Sequence, residues 1–307
     1  MIWSGVMPAM TTPFDEAMKV DHSFLAQHAA WQLGNGCKGL VMLGSLGEGA
    51  TLEHTEKIAI LKTAVRVAKD APVVAAISHL STEGAVKLAQ EAEAAGCAGL
   101  MVLPPYVYTS DWREMKQHVA TVIAATKLPC MLYNNPVAYK TDFLPIEMAE
   151  LASEHENLTA VKESSADVRR VSAIREVLGD RLRICVGVDD VLVEGVYAGA
   201  VGWVAGLVNA YPAESVQLFE LATAGKTVEA FELYRWFLPL LRMDTVPKFV
   251  QLIKWVQEQV GVGSERVRAP RLVLNGKELE VARAEFEKAH ATRPQVTSKA
   301  FSEFAGA

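Results

Sequence analysis

The sequence has few residues of the kinds that form disulfides or bind metals. Its four cysteines, Cys37, Cys97, Cys130 and Cys185, are scattered, and no two of them form a C-x-x-C pair. The seven histidines include no H-E-x-x-H motif and no cluster with cysteine. Each cysteine stands beside or within an apolar run. We therefore predict buried thiols in a reducing compartment, with no disulfides and no metal site.

A basic surface and long apolar runs are also missing. The chain has 30 Lys and Arg against 36 Asp and Glu, a net charge of -6, whereas a nucleic-acid partner normally requires a basic face. No uninterrupted apolar run reaches the roughly 20 residues of a membrane span. The first residues lack the basic and apolar regions of a signal peptide. We expect a cytoplasmic protein that binds neither nucleic acid nor membrane.

What the sequence does contain is a repeated alternation of apolar strands and amphipathic helices. Its 307 residues, 50% hydrophobic, suffice for one α/β barrel or for two ordinary domains. Eight strand-like segments end at Thr12, Leu43, Ile77, Leu103, Tyr133, Lys162, Val186 and Val204. Most ends lie roughly 20–35 residues apart, the length of one βα unit. This predicts an α/β fold of the (β/α)8 TIM-barrel type. A doubly wound open sheet is the alternative, disfavoured because the first βα turn has no G-x-G-x-x-G loop.

The pattern changes at residue 212, after which only helical periodicity remains. We predict that residues 1–211 form the barrel and carry the active site, and that residues 212–307 form a C-terminal helical bundle and a tail. The helices are expected near residues 213–224, 228–241, 247–260 and 276–289. They would pack on the barrel or on a partner subunit. The polar tail, residues 292–307, is expected to be poorly ordered.

Lys162 is the residue that most strongly suggests chemistry. It ends the apolar strand that begins at Leu158, and burying an ammonium group is costly unless the charge is paired or neutralised. Desolvation lowers the pKa of a lysine and leaves a nucleophilic amine, which Schiff-base formation with a carbonyl compound requires. The alternative is that Lys162 extends to solvent, as most strand-end lysines do.

Two further strand ends carry groups that suit this chemistry. Active sites of such barrels lie at the carboxyl ends of the strands, and Tyr133 ends the strand next to that of Lys162, where its hydroxyl could shuttle protons. The turn Gly44–Glu48 offers the Ser45 hydroxyl and backbone N–H groups for a carboxylate. Taken singly, each feature has a structural explanation: a solvated tyrosine, glycines that serve the turn, and an acid at a helix N-terminus.

Four motifs in order identify a family that the chain resembles. They are Gly44-Ser-Leu-Gly-Glu48, Leu132-Tyr-Asn-Asn-Pro136, Val161-Lys-Glu-Ser164 and Gly187-x-Asp-Asp190. Together they resemble the dihydrodipicolinate synthase / N-acetylneuraminate lyase family of class I aldolases, over the range from Trp3 to about Ala291. The resemblance implies a (β/α)8 barrel with C-terminal helices, a homotetramer built as a dimer of dimers, and a lysine Schiff base with pyruvate or another 2-oxo acid. It implies no metal and no organic cofactor.

The resemblance also assigns roles to individual residues. Lys162 matches the Schiff-base lysine, Tyr133 the proton-shuttling tyrosine, and Ser45 the hydroxyl of the relay. Tyr106 matches the tyrosine that reaches across the tight-dimer interface. The implied substrate-binding residues are Leu46, whose amide and that of Ser45 would hold the carboxylate, Gly187 and Val204, which would line the site, and Asp189 and Asp190, which resemble the acidic pair that contacts substrate hydroxyls.

One departure bears on the substrate. The synthases of the family carry an arginine two residues after the proline of Tyr-Asn-x-Pro, which binds the carboxylate of aspartate semialdehyde. This chain has Ala138 there, and a methyl group does not replace a guanidinium fork. Lys140 stands nearby at a different position, and Leu46 replaces a threonine of the carboxylate loop.

We therefore expect a lyase or deaminase that acts on a small 2-oxo acid or its cyclic imine. The Asn-Asn-Pro-Val-Ala-Tyr and Gly-Trp-Val-Ala-Gly segments look most like family members of hydroxyproline catabolism, which deaminate 1-pyrroline-4-hydroxy-2-carboxylate. A pyruvate-dependent aldolase and 4-hydroxy-tetrahydrodipicolinate synthase are the alternatives. A non-catalytic 2-oxo acid binding protein is a further alternative. The presence of Lys162, Tyr133 and Ser45 together favours an enzyme.

Overall fold

The structure is a computed structural model that describes residues 2–108 and 110–307. Its described residues contain eight strands: β1 (Gly5–Pro8), β2 (Leu40–Met42), β3 (Val73–Ile77), β4 (Gly99–Val102), β5 (Cys130–Asn134), β6 (Leu158–Glu163), β7 (Arg183–Val186) and β8 (Gly202–Ala205). The same residues contain twelve α-helices: α1 (His22–Gly34), α2 (His54–Ala68), α3 (Thr82–Ala94), α4 (Trp112–Ala124), α5 (Pro136–Tyr139), α6 (Pro145–Glu154), α7 (Arg169–Leu178), α8 (Leu192–Tyr197), α9 (Pro212–Thr223), α10 (Thr227–Leu241), α11 (Phe249–Gln259) and α12 (Gly276–Ala291).

The eight strands are parallel and follow one another around a barrel. From β2 to β8 each strand pairs with the next one in the chain, and β8 pairs with β1, Gly5 lying opposite Gly202. Between β1 and β2 the barrel is closed by a parallel bridge from Ala9 to Val41, and the Met10 amide donates to the Val41 carbonyl at 2.8 Å. The predicted (β/α)8 barrel is confirmed, and the open doubly wound sheet is excluded.

The strands form because short apolar runs can be buried on both faces. Every residue of β3, β4 and β5 is buried, as expected for a parallel sheet covered by helices. Some helices begin at side-chain caps: Asp21 accepts from the Phe24 amide at 2.9 Å, and Asp111 from the Glu114 amide at 2.9 Å. The strand pattern was read correctly, but β1 ends at Pro8 and not at Thr12, because the chain then crosses to β2.

The C-terminal helices match the predicted segments closely, since α9 to α12 occupy the four ranges expected from helical periodicity. Aromatic side chains of this region pack against one another: the rings of Trp236 and Phe237 stack at 5.0 Å, and Tyr211 packs edge-on against both. In the described part of the chain, no helix has the length and apolar content needed to cross a bilayer.

The expectation of a poorly ordered tail is wrong. Residues 301–304 form a short 3₁₀ turn that docks on α1, where the Phe301 ring lies 5.3 Å from that of Phe24 and 5.5 Å from that of Trp31. The Trp31 indole donates to the Lys299 carbonyl at 2.9 Å. Two phenylalanines in an otherwise polar segment are enough to anchor it, because each aromatic ring buries a large apolar area.

Replacing Phe301 with alanine should lower the free energy of unfolding by about 1–3 kcal/mol, since the ring is partly buried against α1. Ser302→Ala is the matched control: Ser302 lies in the same turn and is exposed, so its effect should stay within about 0.5 kcal/mol. Urea unfolding of the two variants measures the difference. Equal effects would show that the tail does not dock on α1.

Candidate active site

Lys162 lies at the carboxyl end of β6, inside the mouth of the barrel. Its side chain is only 6% exposed. Its Nζ sits 4.3 Å from the centre of the Tyr133 ring on β5, where Tyr133 is the direct Cα partner of Lys162. Burial lowers the pKa of the Lys162 amine, and the carboxylates of Asp244 and Asp189 partly offset this. The lysine is therefore buried, in contrast to the solvated alternative.

Asp189 is a carboxylate whose charge is satisfied by N–H donors. It is fully buried. It accepts from the Trp203 indole at 2.9 Å, from the Leu207 amide at 2.8 Å and from the Gly206 amide at 3.1 Å. Burial raises the pKa of Asp189 to about 6, while these donors and the Lys162 amine lower it. Asp189 thus fixes the turn after β8 and supplies negative charge near Lys162.

Asp244 is a second carboxylate of the site, and it comes from the segment after α10. Its carboxylate packs so closely against Gly206 that a Cβ atom at that glycine would overlap its Oδ1. Burial raises the pKa of Asp244 well above its ordinary value, and the neighbouring Asp189 charge raises it further. Asp244 lies outside residues 1–211, the range in which the sequence placed the whole site.

Tyr133 keeps its proton in this setting. Burial raises its pKa to about 12, although the Asn135 amide, which donates to its hydroxyl at 2.9 Å, acts in the opposite direction. A neutral phenol beside a buried amine can donate a proton to an oxygen that leaves a carbon bound to that amine. Its position fits the predicted role of Tyr133.

The turn after β2 presents unoccupied backbone donors. The Ser45 and Leu46 amides donate to no residue within the described ranges, and the Leu46 side chain is buried. The turn is held from behind by Glu48, a fully buried carboxylate that pairs with Lys254 of α11 at 2.9 Å and accepts from the Arg268 amide at 2.9 Å. Glu48 therefore holds the turn in place and does not act only as an acid at a helix N-terminus. The Ser45 and Leu46 amides of the turn suit a bound carboxylate.

Two tyrosines flank this turn, and the sequence singled out only one of them. The hydroxyl of Tyr139, the last residue of α5, hydrogen bonds to the Ser45 Oγ. The hydroxyl of Tyr106 instead accepts from Ser78 Oγ at 3.1 Å. The ring of Tyr139 lies 5.8 Å from that of Tyr133 and 5.9 Å from that of Tyr106. The cross-interface role predicted for Tyr106 stays a prediction.

Gly187, directly after β7, leaves the space that the lysine occupies. A Cβ atom there would overlap Ser164 Oγ and lie 2.6 Å from the Lys162 Cε, so a larger residue would displace the amine. Val204 is buried in β8, beside Trp203. The role predicted for Gly187 and Val204, to line the substrate site, stays a prediction.

Asp190 has a different environment from Asp189. Its Oδ2 lies 3.8 Å from the Arg242 guanidinium, and its carbonyl accepts from the Tyr234 hydroxyl. The two acids predicted to contact substrate hydroxyls therefore differ: Asp189 is buried and bound to backbone amides, whereas Asp190 pairs with Arg242 after α10. Its role toward a substrate stays a prediction.

The site can bind a carboxylate and present a nucleophilic amine to the carbon beside it. The amides of Ser45 and Leu46 would hold the carboxylate, Lys162 would attack, and Tyr133 would move the proton. Among residues 2–108 and 110–307, no three His, Cys, Asp or Glu side chains cluster as metal ligands do.

Comparison with known proteins places the chain in one family, over most of its length. A model of the dihydrodipicolinate synthetase family matches residues 2–289. A 4-hydroxy-tetrahydrodipicolinate synthase of Mesorhizobium japonicum is 34% identical over 268 residues, which cover 87% of this chain and 91% of that protein. The synthase of Bartonella bacilliformis is 31% identical and covers 93% of this chain and 97% of its own.

Solved structures of similar proteins share the fold. The 4-hydroxy-tetrahydrodipicolinate synthase of Methylacidiphilum fumariolicum SolV superposes with a TM-score of 0.90 at 26% identity, over 94% of this chain and 96% of that one. A putative dihydrodipicolinate synthetase from Pseudomonas aeruginosa gives a TM-score of 0.88 at 28% identity, over 93% of this chain and 99% of that one.

Asp244→Asn should shift the pH midpoint of imine formation to lower pH. The Asp244 charge raises the pKa of Lys162, so its removal lowers that pKa and the neutral amine forms at lower pH. The measurement is the initial rate of reductive trapping of a 2-oxo acid against pH. Asp190→Asn is the control, because Asp190 faces Arg242 and should shift the midpoint less. A midpoint that rises in Asp244→Asn would contradict the charge arrangement.

Proposed function

Since the chain belongs to the dihydrodipicolinate synthetase family, a family of Schiff-base-forming lyases, we propose that Lys162 is its imine-forming residue and a 2-oxo acid or its cyclic imine the substrate. The observation that carries the proposal is the position of Lys162: a buried amine of lowered pKa that lies beside the Tyr133 phenol, on a strand opposite β2 in the barrel. The turn after β2 carries the Ser45 and Leu46 amides, which donate to no described residue. Ser45 and Leu46 would bind the substrate carboxylate. Lys162 would then attack the adjacent C2 carbon.

The proton steps follow from the lowered pKa of the Lys162 amine and the raised pKa of the Tyr133 phenol. Attack of the neutral amine on a C2 carbonyl forms the C–N bond and moves the π electrons to oxygen, which takes a proton from Tyr133. The phenolate recovers a proton from the new ammonium nitrogen, so the carbinolamine is neutral. When the C–O bond breaks, Tyr133 protonates the departing hydroxide, which leaves as water while the nitrogen lone pair forms the protonated imine. Tyr133 is then a phenolate, and it recovers its proton from the imine nitrogen.

The specific substrate that we propose is 1-pyrroline-4-hydroxy-2-carboxylate, converted to 2-oxoglutarate semialdehyde and ammonia with the net addition of one water. Two features support this choice over a substrate with a second carboxylate. Position 138 is an exposed alanine where the synthases carry arginine, and Asp189 and Asp244 make the surroundings of Lys162 acidic. A second carboxylate would be repelled there, whereas a nitrogen that becomes an amine on ring opening would be attracted.

The second candidate is 4-hydroxy-tetrahydrodipicolinate synthase, which uses pyruvate and aspartate semialdehyde. It is favoured by the names of the relatives, which are 34% and 31% identical to this chain. A pyruvate-dependent aldolase with another aldehyde would use the same lysine. The remaining alternative is a protein that binds a 2-oxo acid without turnover, and an activity assay of the wild-type protein must exclude it.

We also propose a homotetramer, arranged as a dimer of dimers. Apolar side chains near Tyr106 are exposed in the single chain: Leu80 is 72% exposed, Val107 79% and Tyr108 55%. Contiguous exposed apolar residues commonly mark a subunit interface. Native mass spectrometry of the purified chain measures the number of subunits directly, and a monomer at micromolar concentration would contradict the proposal.

The purified protein should release ammonia from 1-pyrroline-4-hydroxy-2-carboxylate, because Lys162 displaces the ring nitrogen from C2. Coupled glutamate dehydrogenase measures the ammonia. Lys162→Ala should abolish release, while Lys127→Ala, at an exposed position away from the barrel mouth, should leave it unchanged. Condensation of pyruvate with aspartate semialdehyde, without ammonia release, would favour the synthase. Binding without turnover of either substrate would favour the binding protein.

A further inference from the structure

The hydroxyl that contacts Ser45 belongs to the same chain. Tyr139 reaches it from α5, a four-residue helix between β5 and the loop that leads to α6. Its ring is enclosed by the rings of Tyr106 and Tyr133, at 5.9 and 5.8 Å. Three phenols of one chain therefore lie together, and that of Tyr139 contacts the turn that is expected to bind the substrate carboxylate.

The sequence fixes Tyr139 in this position. Asn135 caps α5 by accepting from the Ala138 amide at 3.0 Å, and Pro136 supplies the first helical residue. Lys140 ends the helix in the left-handed region, at φ 59°. The Asn135 amide also donates to the Tyr133 hydroxyl at 2.9 Å. One asparagine thus orients the helix that carries Tyr139 and holds the phenol next to Lys162.

Tyr106 has a different partner. Its hydroxyl is paired with Ser78 at 3.1 Å, at the end of β3, so in this arrangement it does not contact Ser45. The family resemblance implied that a tyrosine at this point would come from a neighbouring subunit. Here the hydroxyl that meets Ser45 comes from the short helix next to Ala138.

We propose that Tyr139 is a positioning residue for the Ser45 hydroxyl and that it acts within its own chain. The proposal rests on the proposed Schiff-base function. Burial raises the pKa of the Tyr139 phenol, so it keeps its proton and remains able to donate to Ser45. Fixing the Ser45 hydroxyl beside the carboxylate-binding amides would orient the substrate for attack by Lys162.

The first test compares two variants that each lose one hydroxyl and keep the ring. Tyr139→Phe should lower kcat by about 10-fold or more, with KM changed by less than about threefold, because orientation is lost and binding is kept. Tyr197→Phe is the matched control: Tyr197 is 45% exposed and its hydroxyl donates to Thr227, so the loss of that hydroxyl should change kcat by less than about threefold. Equal melting temperatures of the variants and wild type would exclude a folding defect as the cause. A change in kcat of less than about threefold in Tyr139→Phe would overturn the proposal.

A double-mutant cycle tests whether Tyr139 acts through Ser45. If it does, Ser45→Ala combined with Tyr139→Phe should lose no more activity than Ser45→Ala alone, because the second hydroxyl has no remaining partner. Multiplicative losses would show that the two hydroxyls act independently, which would overturn the positioning role.

Mixed oligomers test whether Tyr139 acts within its own chain. Lys162→Ala chains are inactive but carry Tyr139, so they could rescue Tyr139→Phe chains only across an interface. Native mass spectrometry first shows that the two chains share oligomers, and the mixture should then recover no activity beyond that of its Tyr139→Phe chains. Recovery toward a quarter or more of wild-type activity would overturn the proposal. A chain that is active as a monomer would support it.

The two proposals fail in different ways. If wild-type protein forms no trappable imine with any 2-oxo acid or cyclic imine, the proposed function fails, and with it the role of Tyr139. If wild-type protein forms the imine and Tyr139→Phe forms it at the same rate, only the role of Tyr139 fails.

Discussion

The structure depends on the burial of one amine. Lys162 lies at the end of a strand where its charged form is poorly solvated, and the barrel accommodates it by lowering its pKa and placing two carboxylates nearby. This requirement explains residues that would otherwise seem unrelated. Gly187 has no side chain because the lysine occupies that space, and Gly206 has none because the Asp244 carboxylate packs there. Asp189 remains buried because Trp203 and two backbone amides satisfy it.

The C-terminal helices help to build the site as well as cover the barrel. Lys254 of α11 forms a fully buried ion pair with Glu48, directly behind the turn that carries Ser45. Removal of one member of such a pair leaves an uncompensated charge in the interior, which is strongly destabilising. Asp244 follows α10 and reaches the surroundings of Lys162. The sequence pattern changes at residue 212 because only helices follow the barrel strands. Groups near Lys162 and the Ser45 turn nevertheless come from both sides of this boundary.

The fold was predictable because each βα unit carries its own local signals. Apolar runs, glycine turns and helix caps recur along the chain, and the motifs at Ser45, Tyr133 and Lys162 stand at strand ends that a barrel brings together. Tyr139 and Asp244 were missed because their positions depend on contacts that no local pattern encodes. Tyr139 sits in a four-residue helix too short to show periodicity, and its partner is 94 residues away in the chain. The one local signal for this helix was Asn135 before Pro136, a pair typical of a helix start. The docking of the tail was missed because the prediction rested on its mostly polar composition and not on its two phenylalanines, Phe301 and Phe304.

The most direct test of the central claim is the mass of the protein after borohydride reduction with and without a 2-oxo acid or the cyclic imine, followed by peptide mapping. The account predicts one adduct per chain, carried by the peptide that contains Lys162 and absent without the ligand. An adduct on another lysine, with Lys162 unmodified, would show that the buried amine is not the nucleophile and would contradict the account.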